Sequence, residues 1–483
     1  MILNPVLKNI LVDKWGVDVL SGDGGAVKLL VSPRHLFSTQ EDAVAASLKA
    51  GINQFLEPVP EARQALKDGK ANEVEIDALL RRKFRIVIRL GLLDPPDMVP
   101  YTKIKDSPEP WDTAEHKDVS KKMALESVVL LKNANGFLPL KKESLKSIAV
   151  IGPLADTVRW DWYGGIPRHA VTPLEGIKNE VGANVKINYA ADESDHAAVT
   201  AASTSDVAVV VVGNDPTCGP DMAKDWHNTA DGGSTLPCTV PSDGREGRDR
   251  DSITLGQQEQ LIKQVYAVNP KTVVLLISSF PFAINWTEAN IPAIVHMAHS
   301  SQDEGTALAK VLFGDYNPGG HLVTTWPKSV DQLPPMMDYN IRHGRTYMYF
   351  KGDPLYPFGY GLSYTTFGYS NLKTSSPHLA KDGNITVSVD VKNTGNRAGD
   401  AVVQLYVTHL KSRVERPRKQ LAGFKRVTLE PNESKTVQIP LKASTLAFWD
   451  QKHGKLEVEA EPVKIMIGDS SANVAVATTA RIQ

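Results

Sequence analysis

Two carboxylates stand out for the chemistry their positions allow. Asp23 closes VDVLSGD, which reads as a short buried strand, and two glycines, Gly24 and Gly25, follow it. A carboxylate at the C-terminal end of a parallel strand sits where barrel-like βα folds build their reaction sites. The ordinary alternative is an Asp that caps a turn or a helix. Glu246 lies in SDGREGRDRDSITL, a polar loop ahead of a helix, with Arg245, Arg248 and Arg250 around it. The ordinary alternative there is a solvated ion-pair network. Two acids far apart in sequence suit a reaction that needs one acid and one base or nucleophile on opposite sides of a bond, and cleavage of a glycosidic bond is such a reaction. His35, Trp160, Trp162 and Tyr163 are the candidates for sugar contact. Indole and phenol rings stack on apolar sugar faces, and the same rings also fill ordinary cores.

Other chemistries are thinned out by what the chain lacks. No P-loop, HExxH, GxSxG or EF-hand loop occurs, and GDGGAV (22–27) lacks the dinucleotide-binding spacing. The formal net charge is −1, so no basic field is available to hold a phosphate backbone, and nucleic acid is not expected as a partner. No apolar run reaches the length of a membrane span, and MILNPVLKNILVDKWG has no basic segment followed by a long apolar stretch, so no signal peptide is read in it. Cys218 and Cys238 lie in Gly/Pro/Asp-rich loop, where a disulfide or two free thiols are equally open. Without a matching histidine cluster they make a weak metal site, and no metal or organic cofactor is expected.

Positioning such residues takes a scaffold. With 483 residues, 42 % apolar and 23 % charged, the composition is that of globular protein of about three domains at roughly 150 residues each. Residues 1–96 alternate helix (7–16, 39–51, 74–93) with short strand (17–23, 52–57), a βαβα pattern too short for a closed barrel. Residues 97–115 read as a linker. The pattern then predicts a helix over 116–134, strands at 145–152, 184–190, 206–214, 272–279, 291–299 and 320–327, and helices between them. Continuous Val/Ile/Leu strands alternating with helices imply an α/β sandwich with a mostly parallel sheet over 116–365. From about 380 onward, alternating strands broken by Gly, Asn and Pro turns predict a fibronectin type III-like or immunoglobulin-like β-sandwich over 380–483.

These segments together resemble glycoside hydrolase family 3. KWGVDVLSGDGGAVKLL (14–30) is similar to the family's nucleophile segment, SLKAGINQFLE (47–57) to the one that follows it, and LLRRKFRIVIRLGLLDP (79–95) to the end of its barrel. ALESVVLLKNANGFLPL (124–140) and TPLEGI (172–177) match the start of its second domain. REGRDRDSITLGQQEQLI (245–262) resembles the loop that supplies the acid/base, and GDYNPGGHLVTTWP (314–327), YPFGYGLSYTTF (356–367) and LAGFKRVTLEPNESKTV (421–437) complete the series.

The resemblance implies a retaining double displacement that removes terminal non-reducing β-D-glucosyl residues, with Asp23 as nucleophile and Glu246 as general acid/base. β-Xylosidase of the same family is the alternative, and the stretch around His35 is similar to that branch. It also implies that residues 1–96 are a partial (β/α) barrel, since most of the family's strands precede the nucleophile strand. A chain lacking them is expected either to be inactive by itself, to bind carbohydrate without turnover, or to work with an oligomer or a second chain that completes the barrel. Substrates would be β-linked glucosides, xylosides or oligosaccharides, in a secreted or periplasmic setting. Two departures stand out: Gly22-Asp23-Gly24 replaces the family's Ser-Asp pair, displacing Ser21 by one position, and Gly256 replaces a proline.

Overall fold

A computed structural model describes residues 4–32, 34–105, 109–159, 167, 169–192, 194–216, 244, 249–299 and 301–483. The chain divides into two units, Met1–Asp112 and Thr113–Gln483.

The first unit is α/β. It opens with a wide helical segment, Val6–Val12, whose bonds skip five residues: Asp13 N donates to Lys8 O at 2.9 Å and Trp15 N to Ile10 O at 2.8 Å. Strand β1 (Ser21–Gly22) follows, then α1 (Ala26–Leu29), α2 (Gln40–Lys49), β2 (Gln54–Phe55), α3 (Glu61–Lys67) and α4 (Glu73–Arg89). β1 and β2 pair in parallel, Ser21 with Gln54 and Gly22 with Phe55. This is the βα repeat of a partial barrel. Strand 17–23 is thus shorter than its sequence pattern predicts. Val17 and Leu20 give their carbonyls to Arg82 Nη1 and to Asn53 and Gln54 N rather than to a long ladder. The helices start where their caps require. Thr39 accepts from Asp42 N, and Asn72 and Glu75 form a reciprocal capping box. Val27, Ala43 and Val44 make a small core with Phe37, Leu48 and Phe55 around it.

The second unit is built on a six-stranded sheet. Its elements are α5 (Ala114–Ser127), β3 (Val129–Asn133), β4 (Ser147–Ile151), α6 (Pro173–Val181), β5 (Lys186–Ala190), α7 (Ala197–Ser203), β6 (Val207–Gly213), α8 (Gln257–Val268), β7 (Thr272–Ile277), α9 (Asn285–Asn290), β8 (Ala293–Met297) and α10 (Glu304–Phe313). The strand order is β3-β8-β7-β6-β4-β5, parallel except for β3. Every residue of β6 is buried. Val207, Val209 and Val211 face one apolar layer, and Ala208, Val210 and Val212 face the other. A strand covered by helices on both faces reads as an unbroken β-branched run for this reason.

Two sequence expectations fail here. The helix predicted over 116–134 stops at Ser127, and VLLKN forms β3, antiparallel to β8 with Val129 opposite His296. The β-branched pair Val128-Val129 disfavours helix, and an open sheet edge beside it supplies the partner. The strand predicted over 320–327 is a single bridge, Trp326 with Tyr356. Its neighbour carries Pro357, which has no N–H to continue a ladder. Trp326 instead becomes a buried ring packed edge-on against His296 and Tyr356, with centroids at 5.0 and 5.9 Å.

Helix α11 (Thr346–Tyr349) precedes the sandwich. Its strands are β9 (Phe367–Thr374), β10 (His378–Leu379), β11 (Asn384–Asn393), β12 (Gly399–His409), β13 (Gln420–Leu429), β14 (Ser434–Lys442), β15 (Phe448–Asp450), β16 (Lys455–Glu457), β17 (Pro462–Gly468) and β18 (Val474–Ile482). A five-stranded sheet, β10-β18-β17-β12-β13, faces a three-stranded one, β14-β11-β9. Val387, Val389 and Val391 of β11 meet Val403, Leu405 and Val407 of β12 in the core between them. The alternation is the one the sequence predicts, but β9 begins in residues whose aromatic and glycine content hides it.

The sandwich is fastened to the α/β part. Arg426 on β13 binds Asp400 (Nε at 2.9 Å), Glu126 of α5 (3.2 Å) and the Tyr316 hydroxyl (2.9 Å). Asn317 donates to Ala398 O at 2.8 Å, and Gln404 to Gly359 O at 3.0 Å.

Candidate active site

Asp23 stands immediately beyond the C-terminal end of β1, and its side chain is exposed. Its Oδ1 accepts from Gly24 N at 2.8 Å, and its carbonyl accepts from Ala26 N at 3.2 Å. Gly25, at φ +69°, turns the chain into α1. One carboxylate oxygen is thereby held by the N–H of the very next residue, and the other is left to solvent or ligand. The base of this strand is held from below. Asn53 accepts from Leu20 N (2.9 Å) and donates to Asp18 O (2.9 Å) and Leu79 O (3.1 Å). From α4, Arg82 donates to Val17 O (3.0 Å) and Gly51 O (2.5 Å), and Arg85 pairs with Asp18 at 2.6 Å. His35 lies in the loop between α1 and α2, exposed and in the left-handed region at φ 50°.

Glu246, Trp160, Trp162, Tyr163, Cys218 and Cys238 lie outside the described residues. What is described is how the chain around Glu246 is rooted. The order of the sheet reverses between β4 and β6, and ligands of parallel sheets gather beyond the strand ends at such points. There the chain leaves β6 through Gly213, Asn214 and Asp215, and it returns at Asp249 and Arg250 to enter α8.

Both roots are clamped. Gln258, in the first turn of α8, takes both hydrogen bonds of Gly213, its Oε1 accepting from N and its Nε2 donating to O, each at 2.8 Å. Asn214 Oδ1 accepts from Ser279 N beyond β7 at 2.8 Å. Asp215 forms a buried ion pair with Arg159 at 3.1 Å. The Arg250 guanidinium lies over the Phe280 ring at 3.8 Å and near Phe282 at 5.1 Å, and donates to Pro281 O at 2.7 Å. Burial pulls its pKa down to about 10. Gly213, Asn214, Gly244, Arg250, Gln258 and Phe280 line one cavity of ≈ 640 Å³ at these strand ends.

Of these residues only Arg250 is prominent in the sequence, as one of three arginines around Glu246. Its role is not legible there, because Phe280 and Phe282 reach it through the sheet rather than along the chain. Gln258 reads as one more polar position of an amphipathic helix. Among the described residues one group, Asp450, His453 and Glu457, brings three potential metal-ligand atoms within 4.8 Å of one another. Arg413 already pairs with Asp450 (2.9 Å) and Glu457 (3.0 Å), so these carboxylates have a cation. No helix among the described residues is long and apolar enough to cross a membrane.

Comparison with known proteins bears on this arrangement. Residues 128–364 match the glycosyl hydrolase family 3 C-terminal domain, and residues 401–471 match a fibronectin type III-like domain. A periplasmic β-glucosidase of Salmonella typhimurium is 36 % identical over 501 residues, which cover 97 % of this chain and 64 % of the relative. A β-xylosidase of Formosa agariphila is 34 % identical over 499 residues, covering 96 % and 65 %. The chain thus spans somewhat less than two thirds of the length of these curated relatives. Among solved structures, a β-glucosidase of Erythrobacter marinus superimposes with a TM-score of 0.80 at 29 % identity, over 100 % of this chain and 66 % of that one. The α/β sandwich, the β-sandwich after it and the likeness that runs through the N-terminal βα repeats agree: the chain belongs to glycoside hydrolase family 3.

Proposed function

We propose that the chain hydrolyses terminal non-reducing β-D-glucosyl residues of β-glucosides and oligosaccharides with retention of configuration. Asp23 attacks the anomeric carbon as the glycosidic C–O bond breaks. Glu246 protonates the departing oxygen. Glu246 then takes a proton from water, whose oxygen displaces Asp23 and releases the sugar. The observation that carries this reading is the placement of Asp23, an exposed carboxylate just past a parallel strand with one oxygen free. Retention requires the two carboxyl groups to come within about 5–5.5 Å. The name of the Salmonella relative supports glucosides and a periplasmic or secreted setting, and that of the Formosa relative supports xylosides as the alternative. His35 and the rings of Trp160, Trp162 and Tyr163 belong to this proposal as sugar contacts. The limit of the barrel part read from the sequence, near 96, goes with it, whereas the sandwich, expected from about 380, already includes β9 from Phe367.

A second reading has its own observation. On α4, Leu80, Phe84 and Ile88 recur every fourth residue and are exposed, and Leu92, Leu93, Met98, Tyr101 and Ile104 extend the apolar surface. Surfaces of this kind mark interaction sites. They support a chain that turns over only when further polypeptide, from an oligomer or a partner, covers this face, and that otherwise binds sugar or is inert.

The test is hydrolysis of aryl β-glucoside and aryl β-xyloside by the purified chain beside its Asp23→Asn variant. Turnover abolished by the substitution supports the first reading. Equal turnover in both proteins would sink Asp23 as nucleophile, and no turnover from a soluble, folded chain favours the second.

A further inference from the structure

One loop of the second unit is braced from within and apolar on its outside. Residues 335–343 leave the chain at Pro334 and rejoin it at Gly344. Arg345 holds them, its Nε donating to Asp338 O at 2.5 Å and its Nη2 to Pro335 O at 2.8 Å. Asp338 ties the tip further, its Oδ2 pairing with His343 Nδ1 at 2.7 Å and its Oδ1 accepting from Asn340 N at 3.0 Å. The apolar side chains left outside are Met336, Met337, Tyr339 and Ile341, with Met337 73 % and Tyr339 78 % exposed. Holding such groups in water gains nothing within the chain itself. Contiguous exposed apolar surface marks an interaction site, and methionine and tyrosine are enriched in interfaces.

Both ends of this loop, Pro334 and Gly344, line a cavity of ≈ 460 Å³. Val323, Pro327, Leu333, Met348, Phe350 and Phe358 are among its other walls. The sandwich holds these walls from behind. Tyr347 stacks on Phe358 with centroids at 4.2 Å, and its hydroxyl accepts from Leu421 N of β13 at 2.9 Å. Arg418 donates from its N to Met348 O at 2.8 Å and from Nη1 to Phe350 O at 2.5 Å. The recess is therefore pre-formed, and the projection springs from its edge. A surface that carries a projection and a recess side by side can meet itself across a two-fold axis. The chain beside the lining residues also carries both signs of charge, Arg342 and Lys351 with Asp331 and Asp353, all exposed. A rim of one sign would repel its own copy.

We propose that this face joins two copies of the chain about a two-fold axis, with Met337 and Tyr339 of each copy seated in the recess of the other. A second copy is the occupant because one patch supplies both halves of the contact, so both recesses fill and both projections leave water in a single association. The cavity has room for a methionine or tyrosine side chain. Neither residue fills it in its own chain, since both stand exposed. The exposed face of α4 belongs to the other unit and takes no part in this contact. The proposal stands apart from glycoside hydrolysis, and its test reads no turnover.

Sedimentation velocity of the purified chain over a range of concentrations is the test. The unaltered chain is expected to dimerise. Tyr339→Glu puts a charge on the projection and Val323→Trp plugs the recess, and each should weaken the dimer about thirtyfold or more, the scale of an interface hot spot. Phe84→Glu on α4 should leave it unchanged. All three positions are exposed, so circular dichroism and the urea midpoint should match the parent. An equal mixture of Tyr339→Glu and Val323→Trp chains regains one of the two contacts, the intact projection of the second entering the intact recess of the first. The mixture should therefore associate more tightly than either variant alone. A chain that stays monomeric at every concentration overturns the proposal, as does a dimer indifferent to both substitutions, a dimer dissolved by Phe84→Glu, or a mixture no tighter than its components. A monomer that binds nitrophenol, with binding lost in Val323→Trp, overturns it in favour of a small aromatic ligand.

Discussion

Gln258 holds the peptide groups of Gly213 at both ends, accepting from its N–H and donating to its C=O at 2.8 Å each. One side chain on α8 thus completes the backbone pairing at the tip of β6, where the ladder to β7 ends at Gly213 opposite Ile277. A buried peptide group without a partner costs about 1–3 kcal/mol. Gln258→Leu should therefore lower the stability of the Thr113–Gln483 unit by about 2–4 kcal/mol, seen as an earlier midpoint in urea unfolding followed by tryptophan fluorescence. A midpoint within error of the unaltered chain would show that water serves Gly213 equally well.

Gly213 itself tolerates no side chain. At φ 148° its added β-carbon would lie 1.7 Å from Ile277 O. Gly213→Ala should give little soluble protein, and what is soluble should unfold well below the parent in a thermal scan, since backbone on the neighbouring strand cannot move aside.

Three half-buried imidazoles predict the acid sensitivity of the second unit. Burial pulls His296, His299 and His321 each down to about 4 from 6.5, in each case as the largest cause. Depressed folded values mean that the unfolded chain binds more protons between about 6.5 and about 4. The stabilisation is complete above the unfolded value and is lost as pH falls through that window. The slope should reach at most about 1.4 kcal/mol per pH unit for each histidine. His296 faces the Leu276 carbonyl through Nδ1 and the Trp326 ring. Denaturation midpoints at pH 7, 6, 5 and 4.5 should fall less steeply in His296→Phe, and an unaltered slope would count against the assignment.

In the sandwich, His409 Nδ1 meets Glu461 Oε1 at 2.7 Å, with both side chains at most 2 % exposed, and Glu461 Oε2 accepts from Lys411 N at 2.9 Å. Arg416 contacts the far nitrogen of the same ring at 2.6 Å and lies over Phe448. Removing one member of such a buried set strands the others. Glu461→Ala should cost about 3–5 kcal/mol, and the His409→Leu/Glu461→Leu pair should recover part of it. A double variant no better than the single one, by guanidinium unfolding, would contradict this account.

The fold was legible wherever local signals and burial agreed. Thr39 and Asn72 announce their helices through side-chain oxygens that cap them, and Val207–Val212 announces a strand buried on both faces. Legibility ended where the partner decides. Val129–Asn133 is helix by neighbourhood and strand by pairing with β8, and His321–Pro327 is strand by composition yet meets a proline-interrupted neighbour. In the candidate site, Asp23 was marked by its glycines and by the family motif. The support beneath it was not, because Arg82 and Arg85 look like solvated charges on α4 until they meet Val17, Gly51 and Asp18.

The junction at Arg426 makes the sandwich more than an appendage. One guanidinium serves β12 through Asp400, α5 through Glu126 and the loop after α10 through Tyr316. A protease nicking the chain between α11 and β9 would leave two pieces that still hold each other. Exchange of this module for the sandwich of another enzyme would succeed only if the acceptor surface around Glu126, Tyr316 and Asn317 travelled with it.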